Sequence, residues 1–213
     1  MKTKVLISIF TFMFLFQQNT KAQFLRNKIE KETTKITEQF NTLTKERTII
    51  LDQISFLIYK NLKDNETLNV VIIDKDNDSK SQQAMIWLQT GLLYYDIHEI
   101  NVYSAGINVD SQPNFTLGNI EKYGFKVKNT NNEQPNSYNV KYGKKSWSVY
   151  PKHISSLKTE GENILKIYVE ETTLEDDSET KIELSFSNTT DIPINMLYIA
   201  EKLNNFINDQ NLN

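Results

Sequence analysis

The sequence predicts an α/β fold, a mostly parallel sheet of four or five strands with helices on both faces. An unbroken apolar run at 68–73, rich in β-branched residues, is too short for a helix and typical of a strand buried on both faces. A helical pattern at 82–95 follows it closely. Strand-like and helix-like segments then alternate, as in parallel sheets with crossover connections. With 213 residues, the length favours one domain with one substantial core.

A helical segment at 23–66 precedes the first strand. From Phe40 to Ile58 the apolar residues recur near helical spacing, with Lys and Glu between them. We expect a mostly exposed helix over 24–40 and a better packed helix over 45–62. The polar cluster at 63–66 ends the second helix before the central strand.

The middle of the chain predicts alternating elements. The crossover helix after the central strand has a broad apolar side, weakened by Gly91 by about 1 kcal/mol relative to alanine. Residues 99–104 predict a second strand, and Ala105-Gly106 the turn that leaves it. Pro113 opens a helix that Tyr123-Gly124 closes, because glycine adopts the left-handed conformation that stops helices. Residues 125–127 then predict a short third strand.

The last part of the chain adds a hairpin. Residues 138–142 and 146–150 alternate with period two around Gly143-Lys144-Lys145, which is a hairpin signature. The remaining predicted elements are a strand at 164–169, an acidic loop at 170–179, an edge strand at 181–186 and a terminal amphipathic helix at 192–207.

The amino terminus has the layout of a secretory signal peptide. Lys2 and Lys4 precede a strongly apolar segment at 5–16, and Thr20-Lys21-Ala22 supplies small residues at the cleavage site. The apolar run is too short for an ordinary membrane span, although an uncleaved anchor helix is the alternative. We predict cleavage after Ala22, so that the protein is exported to the periplasm or secreted, with no stable membrane span. Loss of three lysines takes the formal charge from -3 to -6.

Composition excludes several classes of function. The chain has no cysteine, which excludes disulfides, thiolate metal sites and a cysteine nucleophile. Lys and Arg are scattered and the net charge is close to balance, so no nucleic-acid surface is predicted. No cofactor is predicted, and the partner is an unknown small anion or protein.

The loop at 74–81 is where the sequence predicts chemistry. It reads Asp-Lys-Asp-Asn-Asp-Ser-Lys-Ser, polar throughout, between the buried strand and its crossover helix. In open α/β sheets, ligands bind beyond the carboxyl ends of the strands. The simplest interpretation is a polar turn in which Asp78 or Ser79 caps the helix.

The order of these features resembles the low-molecular-weight protein tyrosine phosphatase and arsenate reductase family. The polar loop carries Asn77 and ends in Lys80-Ser81, and the next strand ends in Ser104-Ala105-Gly106. Pro113 then starts a helix that ends in Gly124-Phe125. The resemblance implies a four-stranded parallel core with an N-terminal helix ahead of it and an inserted hairpin. After the predicted signal peptide at 1–22, it divides the chain into an N-terminal helical segment at 23–66 and a phosphatase-like domain at 67–213, with the hairpin insertion at 137–150.

The departures from that family remove its reactive groups. By the resemblance, the nucleophilic cysteine of the phosphate loop falls on Asp74 and the phosphate-binding arginine on Lys80, while Asn77 and Ser81 match. Aspartate is the weaker nucleophile, and lysine cannot form the bidentate contact of arginine. The family's late Asp-Pro general acid is replaced by Ser187-Asn188-Thr189-Thr190, unless a shifted alignment places it on Asp191.

The sequence therefore predicts a pseudoenzyme, an exported binding or interaction module without catalytic residues. The loop carries three aspartates and two lysines, and each close like-charge pair with a phosphate dianion costs on the order of 4 kcal/mol near a protein surface. If the loop does bind an anion, Asn77, Ser79, Lys80 and Ser81 would do so with the backbone amides. The full degenerate loop set consists of Asp74, Asn77, Asp78, Ser79, Lys80 and Ser81.

Two alternatives use the same carboxylates. Asp74, Asp76 and Asp78 resemble the opening of a calcium loop, but Ser79 stands where that loop has Gly and Met85 where it has Glu. A strand that ends in Asp-x-Asp also resembles haloacid dehalogenase-type phosphatases. There Asp74 would attack phosphorus, Asp76 would move the proton, and magnesium, with Asp176-Asp177 as distal ligands, would neutralise the charge.

Overall fold

The computed structural model describes residues 24–109, 117–130, 137–159, 163–170 and 182–210. The strands are β1 (Leu68–Asp74), β2 (Ile100–Gly106), β3 (Lys126–Asn129), β4 (Tyr138–Lys141), β5 (Ser146–Val149), β6 (Ile164–Tyr168) and β7 (Ile182–Glu183). The α-helices are α1 (Asn27–Thr37), α2 (Lys45–Lys63), α3 (Ser79–Tyr94) and α4 (Ile192–Gln210).

The main sheet has four parallel strands in the order β2-β1-β6-β7. Strand β1 lies between two neighbours, and all seven of its residues are buried. Such a strand needs apolar side chains on both faces, which explains its unbroken apolar run. The predicted α/β class, the four-stranded parallel sheet, the N-terminal helix and the inserted hairpin are all confirmed.

The two faces of the sheet are covered differently. Val70 and Ile72 of β1 belong to the large core that also holds the buried apolar residues of all four α-helices. Val71 and Ile73 face the other side, where the covering residues belong partly to a short 3₁₀ helix, Ile154–Ser156. On the first face, helices α3 and α4 pack very closely. A Cβ atom on Gly91 would lie 2.6 Å from the Ala200 Cβ. Glycine therefore permits the close packing of the two helices, and this packing offsets its low helix propensity.

The predicted third strand at 125–127 is present as β3, but it does not belong to the main sheet. Strand β3 pairs antiparallel with β4, which pairs with β5, in a separate three-stranded sheet. Three of the four residues of β3 are exposed, whereas an inner strand of the main sheet must be buried on both faces. Strand β6 occupies the place beside β1 instead.

The helix predicted from Pro113 begins outside the described residues. Its described end is a 3₁₀ helix, Ile120–Tyr123, and Gly124 follows it with φ of 104°. The left-handed glycine stop was therefore predicted correctly. The predicted signal peptide at 1–22 and nearly all of the predicted acidic loop, including Asp176-Asp177, also lie outside the described residues.

Helices α2 and α4 follow the predicted pattern closely, whereas α1 is shorter than the helix predicted over 24–40. The Thr44 side chain caps α2 by accepting from the backbone N–H of Arg47 at 3.2 Å. Helix α4 runs three residues past its predicted end, with Met196, Ile199 and Leu203 buried. Among the helices of the described segments, none combines the length and the apolar character that crossing a membrane requires.

Candidate functional site

The polar loop after β1 turns directly into helix α3. Asp74 is the last residue of β1 and Asp78 is the N-cap of α3, so only residues 75–77 connect strand and cap. The Asp78 carboxylate accepts from the backbone N–H of Lys80 at 3.0 Å. This is the capping role that the sequence predicted for Asp78 or Ser79.

The tip of the loop is held on two sides. Asn77 is fully buried with φ of 52°, a left-handed conformation that asparagine tolerates better than most residues. Its backbone oxygen accepts from the Gln82 side chain at 2.8 Å, and its side-chain amide donates to the Lys152 backbone oxygen at 3.4 Å. These contacts fix the loop between the first turn of α3 and the segment that leads to Ile154–Ser156.

Gly106 explains why the strand beside the loop ends in Ser-Ala-Gly. A Cβ atom on Gly106 would lie 2.5 Å from the Asn77 backbone nitrogen and 2.8 Å from the Asp76 carbonyl carbon. The backbone N–H of Ile107 donates to the Lys75 oxygen at 2.9 Å, which holds loop and strand end together. Glycine at this position is a requirement of the close approach between two stretches of backbone.

Asp74 is a carboxyl with no solvent exposure. Its Oδ2 accepts from the backbone N–H of Ser81 at 3.0 Å, one turn into α3. Its pKa is raised to about 7: burial is the main cause, contacts with Ser81 act against the rise, and the nearby Asp78 carboxylate adds to it. The carboxyl is therefore partly protonated near neutral pH, unlike an ordinary aspartate.

A group of buried oxygens around Asp74 makes no hydrogen bond within the described part of the chain. They are Asp74 Oδ1, Asn77 Oδ1, Ser81 Oγ, Gln82 Oε1 and Ser104 Oγ. Ser104 is paired in register with Ile72, two residues before Asp74, so it lies on the same sheet face as the carboxyl. Three of the five oxygens can only accept and the two serine hydroxyls can also donate, so a proton on Asp74 would supply a third donor to this group.

The remaining loop residues are exposed or half-buried, and one of them forms an ion pair. Lys75 and Asp76 are exposed, whereas Lys80 forms a salt bridge from its Nζ to the Glu170 Oε1 at 2.8 Å. Ser79 is half-buried in the first turn of α3. The only cation of the loop with a defined partner is thus directed to a carboxylate at the end of β6.

Of the carboxylates that the two metal-dependent alternatives need, Asp74 and Asp78 lie near each other, while Asp176-Asp177 lie outside the described residues. Asp74 is buried, Asp76 is exposed, and Asp78 caps the helix. Within the described ranges, no three His, Cys, Asp or Glu side chains are placed to share one metal ion. The calcium and magnesium interpretations gain no support from this geometry.

Two features near the carboxyl edge of the sheet had not been expected. The Lys152 side chain is half-buried with its Nζ over the Tyr150 ring, and burial lowers its pKa to about 8. A cleft of about 400 Å³ lies beyond β7 and is lined by Arg47 of α2 and Asp191 ahead of α4. The sequence contains one weak indication of this cleft, because Arg47 is one of only two arginines in the chain.

Comparison with known proteins provides no family assignment. The chain matches neither any model of a known protein family nor any curated protein sequence.

Proposed function

We propose that this protein is an exported, non-catalytic pseudo-phosphatase of the low-molecular-weight tyrosine phosphatase and arsenate reductase type, acting as a binding or interaction module. The observation that carries the proposal is the hydrogen bond from the Ser81 backbone N–H to the Asp74 carboxylate at 3.0 Å. In a loop that grips an oxyanion, amides at the start of the helix face the anion. In this chain the Asp74 carboxylate accepts the hydrogen bond from such an amide, that of Ser81.

The other groups that would hold an anion are also engaged. The Lys80 backbone N–H is capped by Asp78, and the Lys80 ammonium pairs with Glu170 at 2.8 Å. A phosphate dianion would have to displace these contacts and approach Asp78 and the exposed Asp76. The loop therefore closes the fold, and its capacity to bind a small anion is low.

The geometry also argues against nucleophilic attack by Asp74. Its carboxyl is fully buried and its pKa is raised to about 7, so only part of it is ionised at neutral pH. A nucleophile must reach the phosphorus atom in line with the leaving group, which requires an approach from solvent.

An aryl phosphate assay on the chain without residues 1–22 tests the proposal. We expect no turnover with or without magnesium, and no thermal stabilisation by phosphate, sulfate or arsenate. Metal-independent turnover would contradict the proposal. Turnover that requires magnesium and is lost in Asp74→Asn would instead establish the aspartyl-phosphate mechanism, and stabilisation by calcium alone would establish a calcium loop. The exposed Asp76→Asn is the matched control, because only the dehalogenase-type reaction needs both carboxylates.

Secretion is tested separately from catalysis. Expression of the full chain should yield a mature protein that begins at Gln23 in the exported fraction, as read by amino-terminal sequencing. Retention of residues 1–22 in a membrane fraction would contradict export by a cleaved signal.

A further inference from the structure

The cleft beyond β7 lies at the edge of the sheet where ligands bind in α/β folds, but apart from the polar loop. Helix α2 packs on β1, and four residues separate the end of the helix from the start of the strand. The two elements therefore run in opposite directions, which places the start of α2 near the end of β1. Helix α4 starts beyond the carboxyl end of β7. The start of α2, the start of α4 and residues 185–187 enclose about 400 Å³, within the range of small-molecule sites.

Arg47 supplies the positive charge of the cleft. Its Nε–H donates to the Asn195 Oδ1 at 2.6 Å and its Nη1 to the Ser185 backbone oxygen at 3.1 Å. The guanidinium carbon lies 5.1 Å from the centre of the Phe186 ring. These contacts hold the side chain in one orientation, and three of its five N–H groups remain for a ligand.

The guanidinium is half-buried but makes no salt bridge with a carboxylate in the described ranges. Burial lowers the pKa of Arg47, and the charge of Asp191 offsets part of this effect without direct contact. A half-buried cation fixed by two neutral acceptors is poorly compensated in the protein alone. A ligand carboxylate would compensate this charge through a charge-assisted hydrogen bond with the guanidinium.

The cleft also carries a negative charge. Asp191 is exposed and lines the same space, and its side-chain oxygen accepts from the Thr190 hydroxyl at 3.3 Å. Leu43, Phe186 and Ile194 provide apolar surface in the same cleft. Positive, apolar and negative groups that share one small cleft match a ligand that carries both charges and an apolar body.

We propose that this cleft binds a small zwitterion of the α-amino acid class, with its carboxylate on Arg47, its ammonium group toward Asp191 and its apolar side chain against Phe186 and Ile194. Asp191 disfavours ligands that bring only negative charge, a phosphate dianion most of all. Arg47 likewise disfavours ligands that bring only an ammonium group. The site shares no residue with the loop at 74–81, so it does not depend on the phosphatase resemblance.

Thermal shift and calorimetry on the chain without residues 1–22 test the proposal with four compounds. L-Phenylalanine and L-leucine carry both charges, N-acetyl-L-phenylalanine lacks the ammonium group, and L-phenylalaninamide lacks the carboxylate. We expect the melting temperature to rise by about 3–5 °C at ten times the Kd for the two amino acids. The two blocked compounds should bind at least tenfold more weakly. Equal binding of the acetylated compound would overturn the role of Asp191, and no binding of either amino acid would overturn the proposal.

Charge variants locate the binding. Arg47→Gln and Asp191→Asn should each weaken amino-acid binding at least tenfold. Arg26→Gln changes the only other arginine, and Asp64→Asn changes an exposed carboxylate at the far end of α2, so neither control should alter binding. Because Arg47→Gln also removes a contact to the Ser185 backbone, Arg47→Lys provides a second variant that keeps the charge and loses the fork. Unchanged affinity in folded Arg47→Lys and Asp191→Asn would place the ligand elsewhere and overturn the assignment.

Discussion

Folding stability should fall as the pH rises toward neutrality because of one buried carboxyl, that of Asp74. Burial raises its pKa from 3.8 to about 7, so the folded chain holds a proton at pH values where the unfolded chain has released it. This favourable contribution is complete below about pH 4 and is lost as the pH rises through about 7. The difference between the two pKa values corresponds to about 4 kcal/mol, at about 1.4 kcal/mol per pKa unit.

Asp74→Asn removes this titration while it keeps the shape of the side chain. The amide oxygen can still accept from the Ser81 N–H, and the amide NH₂ can donate to one of the buried oxygens that lack a partner. At pH 8 the variant avoids the cost of a buried negative charge near Asp78. We therefore expect it to be more stable than the natural chain by about 2–4 kcal/mol at pH 8 and nearly equal to it at pH 4.

Urea unfolding followed by tryptophan fluorescence, at pH values from 4 to 8, measures this difference. Trp87 is fully buried against Tyr123 and Phe125, so its emission reports loss of the core. Asp76→Asn is the control on the same loop, because its carboxylate is exposed and should leave the pH dependence unchanged. If Asp74→Asn and the natural chain show parallel stability curves over this range, Asp74 does not carry the buried charge that we infer.

Three further substitutions test how the loop is held. Gly106→Ala should destabilise the fold by about 1–3 kcal/mol in urea titrations, because the added methyl group collides with loop backbone rather than with a flexible side chain. Asp78→Ala should cost about 1 kcal/mol through loss of the cap and should also lower the pKa of Asp74, which carboxyl NMR titration would detect. Lys80→Met should change stability by less than about 1 kcal/mol, and the salt dependence of the Glu170 ion pair should vanish with it.

Strand β1 could be predicted from sequence because its environment is encoded locally. A strand with sheet neighbours on both sides and a core on both faces requires continuous apolar residues, and few other elements produce such a run. Helix α2 was equally predictable, since Thr44 caps it and apolar residues recur along one side. The left-handed stop at Gly124 followed from the special backbone freedom of glycine.

The pairing partner of β3 could not be predicted in the same way. A short segment such as 125–127 has apolar residues that fit a parallel or an antiparallel sheet, and nothing local names the partner strand. The pairing partner of β3 depends on Gly124, whose conformation redirects the chain, and on the hairpin of β4 and β5, which has a free edge for β3. Register and partner are properties of the whole fold, whereas periodicity reports only burial of one segment.

The candidate sites show the same limit. The loop at 74–81 is continuous in sequence, so its position after a buried strand predicted its place at the carboxyl edge. The cleft around Arg47 joins residues 42–47 to residues 185–195, which are more than a hundred positions apart. Only the packing of α2 against α4 brings them together, and no motif in either segment indicates that contact.

The sequence and the structure give different reasons why the loop should not bind anions, and an experiment can distinguish the two reasons. Charge counting predicts repulsion by Asp74, Asp76 and Asp78, which salt would screen because the Debye length falls from about 10 Å at 0.1 M to about 3 Å at 1 M. The structure indicates instead that carboxylates already occupy the amides of Lys80 and Ser81. Occupied hydrogen-bond donors remain occupied at high salt. Sulfate should therefore fail to bind in 1 M sodium chloride as it fails in dilute buffer, and binding that emerges only at high salt would show that repulsion alone protects the loop.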